Sequence, residues 1–379
     1  MTTRTIQKKT IFVGVSGGVD SSVSAALLKE QGYDVVGVFI KVWQPEGIAC
    51  TWREERRDAM RVCATLGIPF LFMDLEADYK RGVADYMIAE YRLGRTPNPD
   101  VMCNKEVKFG AFLKKALEMG ADAVATGHYA RVSCPDPLPA SPLAKGRGTQ
   151  LLSGLDLGKD QSYFLWTLTQ EQLSKILFPI GHLQKREVRR LAEKYKLPTA
   201  QKKDSQGVCF IGKLDMKDFL KQFIESKEGK VLNTEGEEIG YHDGAVFYTL
   251  GERHGFTITQ KGTADGRYYV VDKDMERNTI TVAHDVNSGT DPHPASPLLK
   301  GRGAQLRLSQ TNWIPSAPII GKKYLARTRY RQTLEECEFI SFDGTTATVR
   351  FTDPQPTATP GQSLVVYDGE ICVGGGIIE

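Results

Sequence analysis

The feature that most constrains the fold is an apolar run that leads into a glycine turn and then into a helical pattern. Residues 11–15 read as a buried strand, residues 16–22 have the sequence SGGVDSS, and residues 23–28 read as a helix. Backbone N–H groups at such a turn and helix N-terminus converge on one point and favour an anion. The order predicts a phosphate-binding loop; the alternative is a glycine turn ahead of an ordinary helix.

Side chains in this turn add to the predicted phosphate site. Gly17 and Gly18 allow the backbone to approach a phosphate closely, and the serines supply hydroxyl donors. Asp20 can help to hold Mg²⁺. The pattern is not a Walker loop, because no G-x-x-x-x-G-K-[ST] is present.

Composition describes an ordinary globular protein. The 379 residues suggest two or three domains, with 41% hydrophobic and 25% charged residues. The net charge of +3 does not by itself indicate a nucleic-acid partner. No apolar run approaches the roughly 20 residues needed to span a membrane, and the short basic N-terminus lacks an apolar signal core. We therefore expect a cytoplasmic protein without a membrane partner.

Cysteines are scattered along the chain and odd in number. An odd set without a secretion signal argues against a disulfide framework. No C-x-x-C occurs, so neither zinc nor an iron–sulfur cluster is predicted. If these residues act, they act as thiols. The seven are Cys50, Cys63, Cys103, Cys134, Cys209, Cys337 and Cys372.

Strand and helix patterns alternate from residue 10 to about 211, which predicts an α/β domain with a parallel sheet covered by helices. The predicted strands are 35–40, 69–74 and 123–126. The predicted helices are 54–66, 80–92 and 109–119. Ligands of such sheets lie at the carboxyl ends of the strands, where the glycine turn and Thr126-Gly127-His128 are both expected.

The pattern changes after Cys209. A helix is predicted at residues 215–227, and short β runs with glycine turns follow, beginning with 246–250. We expect a small middle domain and a C-terminal β-barrel. The predicted domains are residues 1–212, 213–284 and 285–379.

A near-duplicate occurs within the chain. Residues 136–151 read DPLPASPLAKGRGTQL, and residues 291–306 read DPHPASPLLKGRGAQL. Both are rich in proline and glycine and offer little to bury, so both are expected to be surface loops. Their Lys-Gly-Arg makes a nucleic-acid contact conceivable, but we favour an insert tolerated in loops.

Two cysteine segments could carry chemistry. Residues 96–105, TPNPDVMCNK, predict an extended loop with a helix beginning near Lys105. Cys103 beside that helix start is expected to have a lowered thiol pKa, and Asp100 could move protons. Cys209 lies in a glycine-flanked basic segment, residues 202–212, which suits a mobile thiol. For each cysteine alone, an inert buried side chain is the alternative.

Taken together, these motifs resemble those of the tRNA 2-thiouridylases, ATP pyrophosphatases of the PP-loop class. The resemblance covers nearly the whole chain and excludes the two KGRG segments. It implies a PP-loop (adenine nucleotide alpha hydrolase-like) domain, a middle domain that contacts tRNA and a β-barrel. The matching motifs are GVSGGVDSS, NPDVMCN, ATGHYAR, LDLGKDQSYFLW, KKDSQGVCFIG, YTLGERHG, TRYRQ, TPGQ and GGGIIE.

The resemblance also implies residue roles. Cys209 receives a persulfide, Cys103 is its partner nucleophile, and Asp100 is the acid/base. Residues that hold ATP, with Asp20 also on Mg²⁺, are Gly14, Val15, Ser16, Gly17, Gly18, Val19, Asp20, Ser21, Ser22, Ile40 and Gly127. Residues that contact tRNA are Asn98, Pro99, Asp100, His128, Lys159, Asp160, Gln161, Arg329, Tyr330 and Gln362. Without the resemblance, residues 159–160 read as a charged turn and residues 329–330 as a strand edge.

The implied reaction is ATP-dependent 2-thiolation of the wobble uridine in the anticodon arm. Adenylation of the C2 oxygen makes AMP the leaving group, and sulfur from Cys209 replaces it. Cys103 then either forms a disulfide with Cys209 or liberates hydrosulfide before the attack. A cysteine desulfurase or a sulfur-relay protein would supply the sulfur. Two other hypotheses are another ATP pyrophosphatase, such as an amidotransferase, and a non-catalytic tRNA-binding protein.

Overall fold

A five-stranded parallel sheet organises the first half of the chain, as the alternating pattern predicts. The computed structural model describes residues 8–45, 52–133, 148–203, 216–260, 267–284, 305–352 and 358–379. The strand order is β3-β2-β1-β4-β7. Its strands are β1 Thr10–Gly14, β2 Asp34–Lys41, β3 Phe70–Asp74, β4 Ala123–Ala125 and β7 Ile176–Leu177.

Helices cover this sheet, and two links between consecutive helices are π-helical. The helices of this half are α1 Val19–Glu30, α2 Trp52–Leu66, α3 Glu76–Tyr79, α4 Asp85–Arg92, α5 Pro99–Met102, α6 Leu113–Glu118, α7 Gln170–Leu173 and α8 Lys185–Lys194. Lys80–Ala84 links α3 to α4 as a π-helix, and Cys103–Phe112 links α5 to α6 in the same way. A 3₁₀-helix spans Ser162–Leu165. Such π-helical stretches are rare and occur often at functional sites.

The middle of the chain forms a second sheet with the order β10-β9-β8-β12-β11. Its elements are α9 Met216–Lys221, β8 Gly229–Leu232, β9 Glu238–His242, β10 Thr257–Ile258, β11 Tyr268–Asp274 and β12 Thr279–His284. The strand predicted at residues 246–250 is wrong. A 3₁₀-helix, Ala245–Phe247, occupies its start, because Gly244 turns the chain at φ 139° and Asn278 Oδ1 accepts the Ala245 N–H at 2.9 Å.

The C-terminal part is an antiparallel six-stranded barrel. The strands follow the order β13-β16-β15-β14-β17-β18, and pairing of β13 with β18 closes the barrel. Its strands are β13 Gln305–Trp313, β14 Lys323–Arg327, β15 Glu335–Phe342, β16 Ala347–Phe351, β17 Ser363–Asp368 and β18 Ile371–Ile378. Closure leaves few unpaired strand edges.

A hairpin from the first half of the chain extends the barrel sheet. It consists of β5 Ala130–Ser133 and β6 Gln150–Ser153, and β6 pairs with β18. The expectation that the two duplicate segments are loops throughout is therefore wrong at their ends. Leu151 and Leu306 are buried in strands, because each closing Gln-Leu starts a strand. Residues 134–147 and 285–304 lie outside the described residues.

No helix in the described ranges is both long enough and apolar enough to cross a membrane.

Candidate active site at the carboxyl edge of the parallel sheet

The glycine turn after β1 is held by its own serines and by helix α2. Gly17 has φ +73°, and a Cβ at this position would lie 2.5 Å from the Glu55 carbonyl oxygen. Ser21 Oγ accepts the Ser16 N–H at 3.2 Å, and the Ser22 hydroxyl donates to the Gly18 carbonyl at 2.7 Å. The turn is thus fixed before any ligand arrives.

Gly127 lies directly against this turn, so the two segments predicted at the carboxyl edge meet there. A Cβ on Gly127 would lie 2.6 Å from the Ser21 nitrogen and 2.8 Å from the Asp20 carbonyl carbon. Real side chains do not fit at such distances, so this approach requires glycine. The expectation that residues 126–128 adjoin the turn is confirmed.

Asp20 is held by two residues that the sequence analysis missed. Lys185 Nζ lies 2.8 Å from each Asp20 carboxylate oxygen, and the Tyr129 hydroxyl donates to Oδ1 at 2.8 Å. The pair is partly exposed, with 16% of the Lys185 and 31% of the Asp20 side chain accessible. A capping box formed by Gln184 and Glu187 marks the helix start beside Lys185, but it does not relate Lys185 to Asp20.

The expected adenosine border joins the turn to the Cys103 segment. Gly14, at the end of β1, lies beside the Phe112 ring and Ile40 Cδ1. Val15 continues along β2 through an N–H bond to the Val38 carbonyl at 2.8 Å. Phe112 is the last residue of the π-helix Cys103–Phe112, so this helix packs by its C-terminal end on the end of β1.

The helix of the Cys103 segment begins earlier than expected. Asn98 is its N-cap, with Oδ1 accepting the N–H groups of Asp100 and Val101 at 3.2 and 3.3 Å. Pro99 occupies the first helical position, where its fixed φ suits a helix and its missing N–H costs nothing. The prediction of a start near Lys105 is therefore wrong, and Cys103 lies one turn inside the helix.

Cys103 is fully buried in the main core cluster. The neighbouring Asn104 donates through Nδ2 to the Asp100 carbonyl at 3.0 Å and the Phe164 carbonyl at 3.3 Å. These bonds tie the segment to residues 162–165. Cys209, its expected partner, lies outside the described residues.

Three of the expected tRNA contacts lie in the C-terminal part, and one of them holds the residues that precede the Asn98 cap. Gln362 Nε2 donates to the Thr96 and Pro97 carbonyls at 2.8 and 3.2 Å. Arg329 Nη2 donates to the Leu250 carbonyl at 3.0 Å, so the barrel also touches the middle sheet's connecting turn. Tyr330 packs on Phe164 with ring centroids 4.6 Å apart.

Residues 159–161 differ from the exposed turn that the charge pattern indicates. Asp160 is 4% exposed, and its carboxylate accepts bonds from Gly154, Ser162 and Arg327. Gln161 exchanges backbone and side-chain bonds with the Tyr129 backbone. Lys159 is half-buried, and its backbone N–H donates a hydrogen bond to the Asp156 carbonyl. Arg327, which sequence reasoning missed, is 167 positions from Asp160.

His128 is also buried rather than surface-exposed. Its Nδ1 lies 2.6 Å from the Thr126 hydroxyl, and its ring packs against Phe109 and Phe178. Burial, with a smaller effect of Lys108, lowers the pKa of His128 well below its usual value. The imidazole is therefore neutral at neutral pH and supplies no positive charge to a phosphate.

Three family models match the chain in succession. They are described as the tRNA methyl transferase HUP domain (residues 9–213), the tRNA methyl transferase PRC-barrel domain (residues 217–284) and the aminomethyltransferase beta-barrel domain (residues 304–378). Among solved structures, a U34-tRNA thiolase from Methanococcus maripaludis shares 19% identity. It covers 58% of this chain and 66% of its own, with a TM-score of 0.34, too low to support an argument.

Sequence relatives match over almost the full length. A tRNA-specific 2-thiouridylase MnmA from Vibrio cholerae is 46% identical over 98% of this chain and 96% of its own. Proteins of the same name from Alkaliphilus oremlandii (45%, over 97% of this chain and 96% of its own) and Klebsiella pneumoniae (46%, over 98% and 97%) match similarly. This chain therefore belongs to the tRNA-specific 2-thiouridylase family.

Proposed function

We propose that this chain catalyses the ATP-dependent 2-thiolation of the wobble uridine of tRNA. The observation that carries the proposal is that Gly127 packs on the phosphate turn, while Phe112, in the π-helix that begins at Cys103, packs on Gly14 at the end of the preceding strand. An enzyme that both activates and thiolates one base needs its nucleotide site beside its thiol. Family membership and this juxtaposition together support the assignment.

In the first step, ATP binds with its phosphates on the glycine turn. The backbone N–H groups at the start of α1 would bind the phosphates, the Ser16 and Ser21 hydroxyls lie 3.2 Å apart in the same turn, and Gly127 packs beside it without a side chain. The uridine C2 oxygen attacks the α-phosphorus, and pyrophosphate leaves. The products are an adenylated base and pyrophosphate.

Asp20 fits a role in holding Mg²⁺ on the departing phosphates. Magnesium in nucleotide sites is commonly held by one or two carboxylates together with phosphate oxygens. When bound, the ion would neutralise the phosphate charge that develops. Lys185 now bonds both Asp20 oxygens, and its ammonium group can turn to the phosphates when Asp20 takes a new partner.

In the second step, sulfur replaces the activated oxygen. The terminal sulfur of a Cys209 persulfide attacks C2, and the C2–O bond breaks with loss of AMP. The Cys103 thiolate attacks Cys209 Sγ and breaks the bond between Sγ and the transferred sulfur, so a Cys103–Cys209 disulfide forms and the electron pair of the broken bond stays on the thiocarbonyl sulfur. In the alternative order, Cys103 releases hydrosulfide before C2 is attacked. Since Cys103 is buried, either order needs the segment to open.

The target base would lie against the N-capped segment, where Asp100 can move a proton. Asn98 and Pro99 set the backbone there, and Gln362 holds the preceding carbonyls in place. For buried Asp160 and His128 we propose positioning roles in place of direct contacts with tRNA. We infer a cytoplasmic site of action from the tRNA substrate, and a cysteine desulfurase or relay protein as sulfur donor.

Mass analysis of tRNA nucleosides tests the proposal. The purified chain, ATP, Mg²⁺, unmodified tRNA and a cysteine desulfurase with cysteine should yield 2-thiouridine, AMP and pyrophosphate. Omission of ATP should abolish the modified nucleoside. Turnover of ATP with tRNA but no sulfur incorporation by any donor would contradict the proposal and favour another ATP pyrophosphatase. Binding of tRNA without pyrophosphate release would favour a non-catalytic role.

A further inference from the structure

Helix α2 carries a group of arginines and aromatic rings that the reaction above does not use. We propose that this basic surface, formed by Trp52, Arg53, Arg56, Arg57 and Met60 with Phe72, binds the sugar–phosphate backbone of substrate tRNA outside the target nucleotide. The inference rests on the proposed function. It adds a binding surface distant in sequence from every residue expected to contact tRNA.

The basic surface has the shape of an open groove. The five α2 residues line a cavity of ≈ 360 Å³. Met60 and Phe72 are 45% and 41% exposed, which leaves apolar surface at the groove. Phe72 lies on β3, the edge strand of the parallel sheet.

Its three arginines form no close ion pair within the described part of the chain. Across the described ranges, none of Arg53, Arg56 and Arg57 makes an ion pair with a carboxylate. The Nε of Arg56 is buried and has no hydrogen-bond partner there either. Of the carboxylates on the same helix, Asp58 pairs with Arg61 and Lys202, whereas Glu54 and Glu55 make no ion pair with these arginines in the described ranges. Three guanidinium groups within two helical turns are therefore available to bind an anion.

The rings are arranged for stacking. The Arg53 guanidinium lies 5.8 Å from the Trp52 ring centroid, and the Arg56 guanidinium lies 4.9 Å from that of Phe72. Lys41 Nζ, which pairs with Asp74 and Glu76, lies 5.3 Å from the Trp52 ring centroid. Planar cations over aromatic faces, beside a positive groove, are the combination that binds nucleic-acid strands.

The surface adjoins the nucleotide site. Gly17 of the phosphate turn packs on the backbone of Glu55, one helical position from Arg56. An RNA whose base reaches the turn would therefore pass close to α2. A protein partner would need a larger apolar centre, because interface cores are depleted in charge, whereas this groove is lined mostly by arginines. Arginine also suits phosphate through bidentate hydrogen bonds.

The test compares two triple variants of the full chain. Arg53→Gln/Arg56→Gln/Arg57→Gln removes the surface charge. The control, Arg81→Gln/Arg277→Gln/Arg307→Gln, removes three exposed arginines that already have acidic partners. Affinity for unmodified tRNA is measured by fluorescence anisotropy from about 50 to 200 mM salt, the range over which phosphate contacts change most.

The surface variant should lose at least tenfold in tRNA affinity at low salt. Its salt dependence should be shallower by about two units of slope, since each phosphate contact contributes about 0.7 to 0.9. The control should match the wild type in both quantities. Arg53→Lys/Arg56→Lys/Arg57→Lys should recover most of the slope, because lysine keeps the charge.

Three results would overturn the inference. One is a glutamine variant that binds tRNA with wild-type affinity and slope. Another is a lysine variant as weak as the glutamine variant. The third is unchanged tRNA binding with slower persulfide transfer from the desulfurase, which would assign the surface to an acidic protein. Failure of the wild type itself to bind tRNA would instead contradict the proposed function.

Discussion

Two aspartate–cation pairs of this molecule differ in how deeply they are buried. Asp20 and Lys185 meet at the phosphate turn with 31% and 16% of their side chains exposed. Asp160 and Arg327 meet between the first domain and the barrel at 2.6 Å, with 4% and 8% exposed. The first pair is accessible to solvent, whereas the second is surrounded by protein.

This difference in burial assigns the roles. A partly exposed pair contributes little to stability and can exchange partners, so Lys185 can be displaced from Asp20. A buried pair must stay intact, because either member alone is an uncompensated charge. The Tyr367 hydroxyl, 2.8 Å from Arg327, adds a further bond to the second pair. The Asp20–Lys185 pair can thus exchange partners, whereas the Asp160–Arg327 pair between the domains stays intact.

The largest expected effect is on stability, from Asp160→Asn. The change leaves Arg327 charged and buried, which should cost about 3–5 kcal/mol in the free energy of unfolding. Urea denaturation measures it. The matched control is Asp368→Asn, whose pair with Lys322 is 45% and 39% exposed and should change stability by no more than about 1 kcal/mol. An equal loss of unfolding free energy in the two variants would contradict the proposed difference between buried and exposed pairs.

Asp20→Asn should lower activity strongly and change stability little. Pyrophosphate release in the presence of tRNA should fall about a hundredfold or more, the scale on which loss of one active-site electrostatic group acts. Unfolding free energy should stay within about 1 kcal/mol of the wild type. Normal ATP turnover by this variant would show that the turn is not the nucleotide site.

Lys185→Ala should raise the KM for ATP about tenfold, because a cation beside the phosphates is lost. Steady-state pyrophosphate release measures it. Lys194→Ala, on the same helix and paired with exposed Glu30, is the control and should leave the KM unchanged. A KM that responds equally to both changes would remove Lys185 from the site.

The smallest effect is expected from the duplicate segments. Deletion of residues 136–149 or 291–304, which the sequence predicts to be loops, keeps the strand residues Leu151 and Leu306. Loop length changes the closure free energy by roughly 0.6 kcal/mol per doubling, so stability should move by about that much. We expect unchanged tRNA affinity. A tenfold loss of affinity with normal folding would mean that these segments have been recruited to binding.

Much of the fold follows from local pattern. The buried strand at residues 11–15, its glycine turn and the following helix are all found in the structure. The helix start at Pro99 was also readable, since asparagine followed by proline is an N-cap signal. The 246–250 segment failed because the turn at Gly244 depends on Asn278, a residue distant in sequence.

The sequence predicts those parts of the site whose residues lie within one short segment of the chain. Gly17 and Gly127 are distinctive because backbone approaches backbone there, and only glycine allows it. Lys185 and Arg327 stand 165 and 167 positions from their aspartates, so no local pattern relates them. The burial of Asp160 and His128 is equally a tertiary property, which is why a surface contact was expected of both.

The most direct test of the account measures both half-reactions in one sample of Cys103→Ser. The proposed nucleotide site and the thiol act in sequence, so the variant should release pyrophosphate with tRNA while 2-thiouridine stays undetectable by mass analysis. Asp20→Asn, run beside it, should lose both signals. Full 2-thiouridine formation by Cys103→Ser would contradict the central claim that this buried thiol completes sulfur transfer.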